Sequence, residues 1–557
     1  MNDASTEVPT AVLGRSSQAD VDRSTRLMTV VTALSRGSGF VRIVVFASVF
    51  GKTFLANTYQ NANTIPNILF ELFAAGALQA VLVPTMVRYV DRGDDAESHH
   101  VAGAVLGLLS AALSVVVVAG IALGPQIMRL LVHDVSDAAT RDAETHLGAL
   151  FLWFFMPQVF FYGANIVATA VLNAHHRFAL PVFAPLVNNI VVIASYLWFD
   201  HLHGDKPLTP ALTGYEKWVV AGGTTLGVVL FCGLPVLAVM RMRFSLRPNL
   251  DWRHPAIRSL VREGAWAAVF LGLMQILQLV VLRVANREAG GVTVWQWAFI
   301  LYTLPHALFS VPVMTTRYPH LSRQANAGQW DEFARTTSEA VRSIGFMSLA
   351  SSAVFIAAAL PATQFVAFRG AREFAPEIAA ASAWFAPGII GFGLLLFFTR
   401  ALYALGDART PTLVNLVAVA AASVVMLSAV PHLGGRHLLS GLAATFAASQ
   451  LVGALALGLV VTARLRRTDG STLVVSTSLL RSCTAAAVGA WLGWLVAAGF
   501  DAHGGARSLV SAACSAAVAA TVFVVVQWAL GGPDPGRAVR TMGAAVRDTS
   551  LLAGDHT

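Results

Sequence analysis

Asn57-Thr-Tyr-Gln-Asn-Ala-Asn-Thr-Ile-Pro66-Asn67-Ile-Leu-Phe70-Glu71 packs amides and hydroxyls into a stretch flanked by apolar residues. In a soluble protein it would be an ordinary surface helix. The rest of the chain excludes that reading. Of 557 residues, 56% are hydrophobic and only 12% charged. Mean hydropathy is +0.65. So little charge cannot cover a globular surface, so most of the surface faces lipid. Disordered, collagen-like and disulfide-scaffold classes are excluded as well. In a lipid-facing chain, Asn57, Asn61, Asn63 and Asn67 are expected to line water. Glu71, further in, needs a partner.

Outward from this stretch, runs of about 20 apolar residues recur, the length of one membrane crossing. They predict about fourteen spans, near 28–50, 58–88, 101–132, 146–173, 179–199, 217–240, 259–285, 292–316, 336–360, 377–399, 411–430, 438–462, 475–499 and 507–530. The fold class is an all-α polytopic membrane protein. Residues 1–27 read as a disordered cytoplasmic tail with no cleavable signal, and 531–557 as a second tail. Arginines collect in alternate loops, such as Arg241, Arg243, Arg247, Arg253 and Arg258, and again Arg464, Arg466 and Arg467. The intervening loop 133–145 is acidic. By the positive-inside rule both termini are cytoplasmic. The net charge of +8 thus belongs to inside loops, and no nucleic-acid partner is expected. Arg400 falls in such a loop, 400–410.

Ala170-Val-Leu-Asn-Ala-His-His-Arg177 followed by Pro185-Leu-Val-Asn188 resembles Ala401-Leu-Tyr-Ala-Leu-Gly-Asp-Ala-Arg409 followed by Pro411-Thr-Leu-Val-Asn415. The offset is about 230 residues. It predicts two six-helix halves, 28–240 and 241–462, around a central cavity. Two extra helices follow in 463–530.

In the first span, Ser35-Arg36-Gly-Ser-Gly-Phe40-Val-Arg42, two arginines lie about 9 Å apart along a helix. They read as an anion-binding wall, the other reading being an arginine that reaches the interface. Glu71 is expected to pair with Arg36 or Arg42. Lesser candidates are Gln275, Gln278, His306 and Asn415, with Arg283 at a span end. His306 reads first as a packed histidine. Cys232, Cys483 and Cys514 stand far apart and read as packing residues. With the pairs His99-His100 and His175-His176 in loops, no metal or cofactor site is expected. No soluble-enzyme motif is present, so no catalytic residue is assigned.

The motifs Ser35-Arg36-Gly-Ser-Gly-Phe40-Val-Arg42, Phe50-Gly51, Pro66-Asn67 through Gly76 to Pro84, Leu172-Asn173 with Arg177-Phe178, Tyr318-Pro319 and Tyr403-Ala404 with Asp407 resemble the MurJ (MviN) family of lipid II flippases. That family lies within the multidrug/oligosaccharidyl-lipid/polysaccharide exporter superfamily. The resemblance spans roughly residues 28 to 530. It implies two lobes forming a V-shaped cavity, and a groove for a polyprenyl tail beside the two extra helices. It also implies cavity cations that meet the lipid diphosphate, two of which map onto Arg36 and Arg42. Other basic positions of the family fall on Phe70, Glu71 and about Ile300, and its acidic position near the start of the second span falls on Asn57. No acidic residue stands in the eleventh and twelfth spans for a sodium site. The implied substrate is an anionic polyprenyl diphosphate glycan, lipid II, moved across a bacterial cytoplasmic membrane by alternating access. The rival readings are a paralogue exporting another polyprenyl-linked glycan or amphiphile, and a transport-dead scaffold for cell-wall synthesis or division proteins.

Overall fold

The computed structural model describes residues 18–74, 77–175, 177, 179–204, 206–367, 374–468, 472–473, 476–500 and 505–531. Among these there is no strand. The first group of helices is α1 (Gln18–Phe50), α2 (Phe54–Ala74), α3 (Ala77–Asp91), α4 (Asp95–Ala122), α5 (Gly124–Leu131), α6 (Ala138–Phe155), α7 (Gln158–Ala174), α8 (Ala179–His203), α9 (Gly214–Lys217) and α10 (Gly223–Arg241). The second is α11 (Pro255–Ala285), α12 (Gly291–Pro305), α13 (Val311–Asn326), α14 (Trp330–Val366), α15 (Ala375–Phe385), α16 (Gly388–Ala404), α17 (Arg409–Ser428) and α18 (Gly435–Thr468). α19 (Ser476–Ala498) and α20 (Ala506–Ala529) close the chain.

Eleven helices among the described residues are long and apolar enough to cross a membrane, or twelve if α15 and α16, bent by 47°, form one span. The all-helical membrane fold is as expected. The count of fourteen is not reached on length and apolarity. Two expected spans are not among them, the one on α1 and the one on α2 and α3. On α2 the run of amides lowers the hydropathy. α1 begins at Gln18, so part of the expected tail is helical. Once a span has nucleated a helix, each further residue adds a hydrogen bond at little cost. The remainder of that tail and 532–557 lie outside the described residues.

Within the first group α1 packs on α8, α2 on α6 and α7, and α10 on α7 and α8. Within the second, α16 packs on α18 and α14, α15 on α18, and α17 on α11. α19 and α20 pack on each other and on α14. The seam between the groups is α2 and α3 against α11, and α2 against α12. Small residues allow the tightest approaches, as is usual between membrane helices. A Cβ on Gly391 of α16 would lie 2.6 Å from the Leu451 backbone nitrogen of α18.

The internal repeat has a structural signature. α6 gives way to α7 at Met156-Pro157, and α15 to α16 at Ala386-Pro387, 230 residues later (387 minus 157). At each break the residue before the proline donates back to Leu152 or Ser382, and Val159 or Ile389 donates to it. The same helices end alike: the Leu172 carbonyl accepts from the Arg177 N–H, and the Leu402 carbonyl from the Asp407 N–H. Proline supplies no N–H and clashes with the preceding turn, so the helix is interrupted at each, and the second break bends by 47°. The asparagine that bonds α1 is Asn189, one residue beyond the Asn188 of the repeat, and it acts as Asn415 does. Asn189 of α8 donates to the Ser35 carbonyl of α1 at 3.3 Å, and Asn415 of α17 to the Phe270 carbonyl of α11 at 3.2 Å.

Cys232 is buried as expected, but Cys483 is exposed and Cys514 partly so. Both lie on α19 and α20, which touch the bundle through α14 and leave their outer faces uncovered. Residues between α10 and α11 run across α4 and are clipped there. The Asn249 N–H donates to the Gly103 carbonyl at 3.1 Å, His100 meets Asp251 at 3.1 Å, and His254 meets Glu97 at 2.6 Å. A Cβ on Gly107 would stand 2.0 Å from the Asn249 carbonyl oxygen, so only glycine leaves room. His99 and His175 both stack edge-on to Phe244, and His176 lies outside the described residues.

Candidate functional site

The groups are bonded to each other at one end, where α1 ends and α2 begins. The Thr53 carbonyl accepts from the Gly290 N–H at 3.1 Å. Gly290 adopts φ 68°, a left-handed conformation that glycine takes without cost. The Asn57 side-chain amide donates to the Glu288 carbonyl at 2.8 Å, and its oxygen accepts from the Val292 N–H at 3.1 Å. Val292 lies in the first turn of α12, whose N–H groups have no partner inside the helix. Asn61 donates to Asn286 Oδ1 at 2.9 Å, and Asn286 donates in turn to the Leu131 carbonyl at 3.0 Å. Asn57, Asn61 and Asn286 are all fully buried. Asn57 and Asn61 thus hold the two groups together here and do not line water in this state. The buried setting favours amides because every lone pair and N–H there needs a protein partner.

Ion pairs ring this seal. Lys52 pairs with Glu377. Asp134 meets Arg283 at 3.1 Å and Arg287 at 3.6 Å. Arg283, expected to reach the interface, therefore has a carboxylate partner across the seam. Burial works against the charge of Asp134. Hydrogen bonds from His133 and Arg283, with the charges of Arg283 and Arg287, outweigh it and hold the carboxyl below its usual range.

Further along the helices the bonds across the seam lie between half-buried or exposed side chains. Gln296 of α12 reaches Thr64 at 3.4 Å, and Asn67 accepts from the Tyr162 hydroxyl within the first group at 3.1 Å. Asn63 is half-buried. Arg42 lies about 12 Å and Arg36 about 21 Å along α1 from Phe50, at 1.5 Å per residue. Arg42 is half-buried and Arg36 exposed, and neither forms an ion pair with a described residue. Glu71 is exposed and accepts from Gln275 of α11 at 2.9 Å. The expected pairing of Glu71 with an arginine is thus replaced by a bond to a neutral amide across the seam. Phe70 packs on Tyr162, ring centroids 4.4 Å apart. His306 is buried and stacked on Phe392, as a packed histidine. Between Phe40 of α1, Trp297 and Leu301 of α12 and Phe355 of α14 lies an apolar cleft of about 200 Å³.

Four residues were not read in these places from the sequence. Asn286 and Asp134 lie in short connections and carry no motif. Glu144, assigned to an acidic loop, is in α6 and buried, accepting from the Thr58 hydroxyl at 2.9 Å. Arg400, assigned to an inside loop, is within α16.

The family model for the lipid II flippase MurJ matches residues 46–513. A protein of Vibrio cholerae serotype O1 named probable lipid II flippase MurJ is 26% identical over 416 residues, covering 72% of this chain and 76% of its own length. A solved structure of the lipid II flippase MurJ in its inward closed conformation has a TM-score of 0.70 at 17% identity, covering 90% of this chain and 99% of that one. An inward-facing multidrug resistance MATE transporter of the MOP superfamily has a TM-score of 0.63 at 13% identity, covering 79% and 96%.

Proposed function

The chain belongs to the MurJ family, and we propose that it carries lipid II across the bacterial cytoplasmic membrane by alternating access. The observation that carries this reading is the asymmetry along the seam. One end is closed by buried amides and ion pairs, and the arginines lie one to two dozen ångströms away from it. We take the closed end as the outer one and both termini as cytoplasmic, in line with the arginine-rich loops.

In this reading the lobes are residues 28–240 and 241–462. The lipid headgroup enters from inside and its diphosphate meets Arg36 and Arg42. Guanidinium groups suit this because they give paired, charge-assisted hydrogen bonds to phosphate oxygens. Asn63, Asn67 and Glu71 line the same wall, with Glu71 repelling the anion and so favouring its release. The polyprenyl tail stays in the bilayer, beside the cleft at Phe40 and Trp297. Binding draws the lobes together at the inner end and strains the seal. Asn57 and Asn61 then let go of α11 and α12 and become part of the exit path. Cell-wall synthesis enzymes are the partners that would supply and consume the substrate.

The test is rescue of a bacterium depleted of its own MurJ. The chain should restore growth and Arg42→Ala should not, at equal membrane levels. Failure of the unaltered chain, correctly inserted, would count against lipid II as substrate.

A further inference from the structure

α16 is an enclosed helix. None of its residues from Gly388 to Ala404 is exposed. Helices that meet lipid look different: on α17 Val417 is 69% exposed, and on α18 Leu459 is 71% exposed. Apart from Ile390 and Ala404, the half-buried positions of α16 are Phe392, Leu396, Arg400 and Tyr403. Their spacing of four, four and three places them in one stripe. At one end of the stripe Phe392 lies against His306, ring centroids 4.5 Å apart, where the chain turns from α12 into α13. At the other, Tyr403 lies one turn after Arg400, on the helix that packs against α13. With no exposed residue on α16, the stripe runs inside the bundle, beside α13.

Arg400 sits in the stripe one turn before the helix ends. It is half-buried and forms no ion pair or hydrogen bond with a described residue. Its neighbours at this end are matched. Arg317 has Glu339 at 3.1 Å, Arg464 has Asp407, and Arg409 lies over the Trp266 ring at 5.6 Å. Tyr318 on α13 is half-buried, and His306 Nδ1, at the far end of the stripe, is buried without a hydrogen-bond partner among the described residues. A half-buried guanidinium inside a span, with no ion pair to a described carboxylate, is costly unless an anion arrives to meet it.

We propose that Arg400, with the hydroxyls of Tyr318 and Tyr403, forms a phosphate-binding site on the second group of helices. It takes the diphosphate of the lipid-linked substrate there, as Arg36 and Arg42 take it on the first group. The proposal rests on the reading of the chain as a carrier of such a lipid. It gives the substrate a contact on each group, which is what couples binding to their approach. A ligand held by one group alone gains nothing from their movement.

The test uses the full chain in nanodiscs of phosphatidylcholine, with farnesyl diphosphate and inorganic pyrophosphate as probes. Arg400→Gln should weaken farnesyl diphosphate by about 10- to 100-fold, the range for losing a hydrogen bond to a charged group. Pyrophosphate should weaken by a similar factor, because the diphosphate is what is recognised. Arg400→Lys should recover part of the loss. Tyr318→Phe with Tyr403→Phe, which keeps the packing, should weaken both probes by several-fold and serves if Arg400→Gln does not fold. If Arg42→Gln loses binding while both Arg400→Gln and the double phenylalanine variant bind normally, the site is overturned and the carrier reading stands. An effect seen only in phosphatidylglycerol nanodiscs makes Arg400 an anchor to bilayer phosphates and also overturns it. If the unaltered chain binds neither probe, the carrier reading falls and the site with it.

Discussion

Replacing Asn57 with alanine should open the sealed end without unfolding the chain. Asn57 makes two bonds across the seam, at 2.8 and 3.1 Å, both to backbone groups. Its loss leaves the Glu288 carbonyl and the Val292 N–H facing each other across a gap at a fully buried position. Each orphaned group costs about 1–3 kcal/mol, so with two of them the sealed state should lose about 2–6 kcal/mol. When the groups part, water reaches both, and the substitution costs little there. The ratio of open to sealed forms should therefore rise by about 30-fold or more, up to about 20,000-fold. Thr293, 1% exposed beside the seal, is a suitable reporter. In a chain whose three native cysteines are replaced, Thr293→Cys should react with an impermeant thiol reagent at a rate set by the open population. Asn57→Asp supplies a comparison. It can still accept from Val292 at the positive end of α12, but it cannot donate to Glu288, so it should label at an intermediate rate. A labelling rate for Asn57→Ala within twofold of the parent would show that the amide does not hold the seal.

Other consequences follow from neighbouring features. The folded carboxyl of Asp134 titrates below the usual carboxylate range, so its stabilising share is present at and above that range and is lost as pH falls through the lower folded value. Spin labels across the sealed end should separate in acid, and Asp134→Asn should separate them already at neutral pH and abolish the acid response. Gly107→Val would drive a side chain into the Asn249 carbonyl; overpacking of this kind costs about 1–3 kcal/mol, visible as a lower melting temperature and new protease cleavage between residues 245 and 253. Glu71→Gln keeps a hydrogen-bonding partner for Gln275 while removing a negative charge near the arginines. It should leave thermal stability unchanged and tighten diphosphate binding several-fold; weakening comparable to that of Arg42→Ala would mean that Glu71 contacts the substrate. Reporter fusions at residue 250 should sit inside and at residue 138 outside, and an inside signal at 138 would break the proposed orientation.

Much of the architecture was legible because lipid imposes simple rules. Backbone groups in a bilayer must be satisfied within helices, so long apolar runs locate most of them. The repeat was legible through Asn188 and Asn415 flanked by similar loops. The structure sharpens it: Asn189, one residue on, is the one that bonds α1, as Asn415 bonds α11. Hydropathy failed at the ends. Arg400 read as the first residue of a basic loop because a charge after an apolar run marks a boundary in sequence. In the folded chain α16 is surrounded by protein, and a helix that does not face lipid can carry a charge one turn further in.

The amides of α2 show where sequence reading stops in physical terms. Asn57 and Asn61 announce that a lipid-facing role is impossible, but an amide is satisfied equally well by water and by a backbone carbonyl. What decides between them is the position of Glu288 and Val292, more than two hundred residues away, and no local pattern encodes that distance. The same ambiguity suits a moving part. A seal made of amides on helix ends exchanges its protein hydrogen bonds for about as many bonds to water on opening, and the net worth of each bond is only about 1 kcal/mol while water is available. A hydrophobic plug of the same area would resist opening much more strongly. The ion pairs at Lys52 and Asp134 add charge to the rim, where partial exposure keeps their separation affordable to a ligand's binding energy. The buried asparagines thus give the sealed end definite geometry without making it permanent, and the substrate need supply only a few kcal/mol of differential binding to shift the balance.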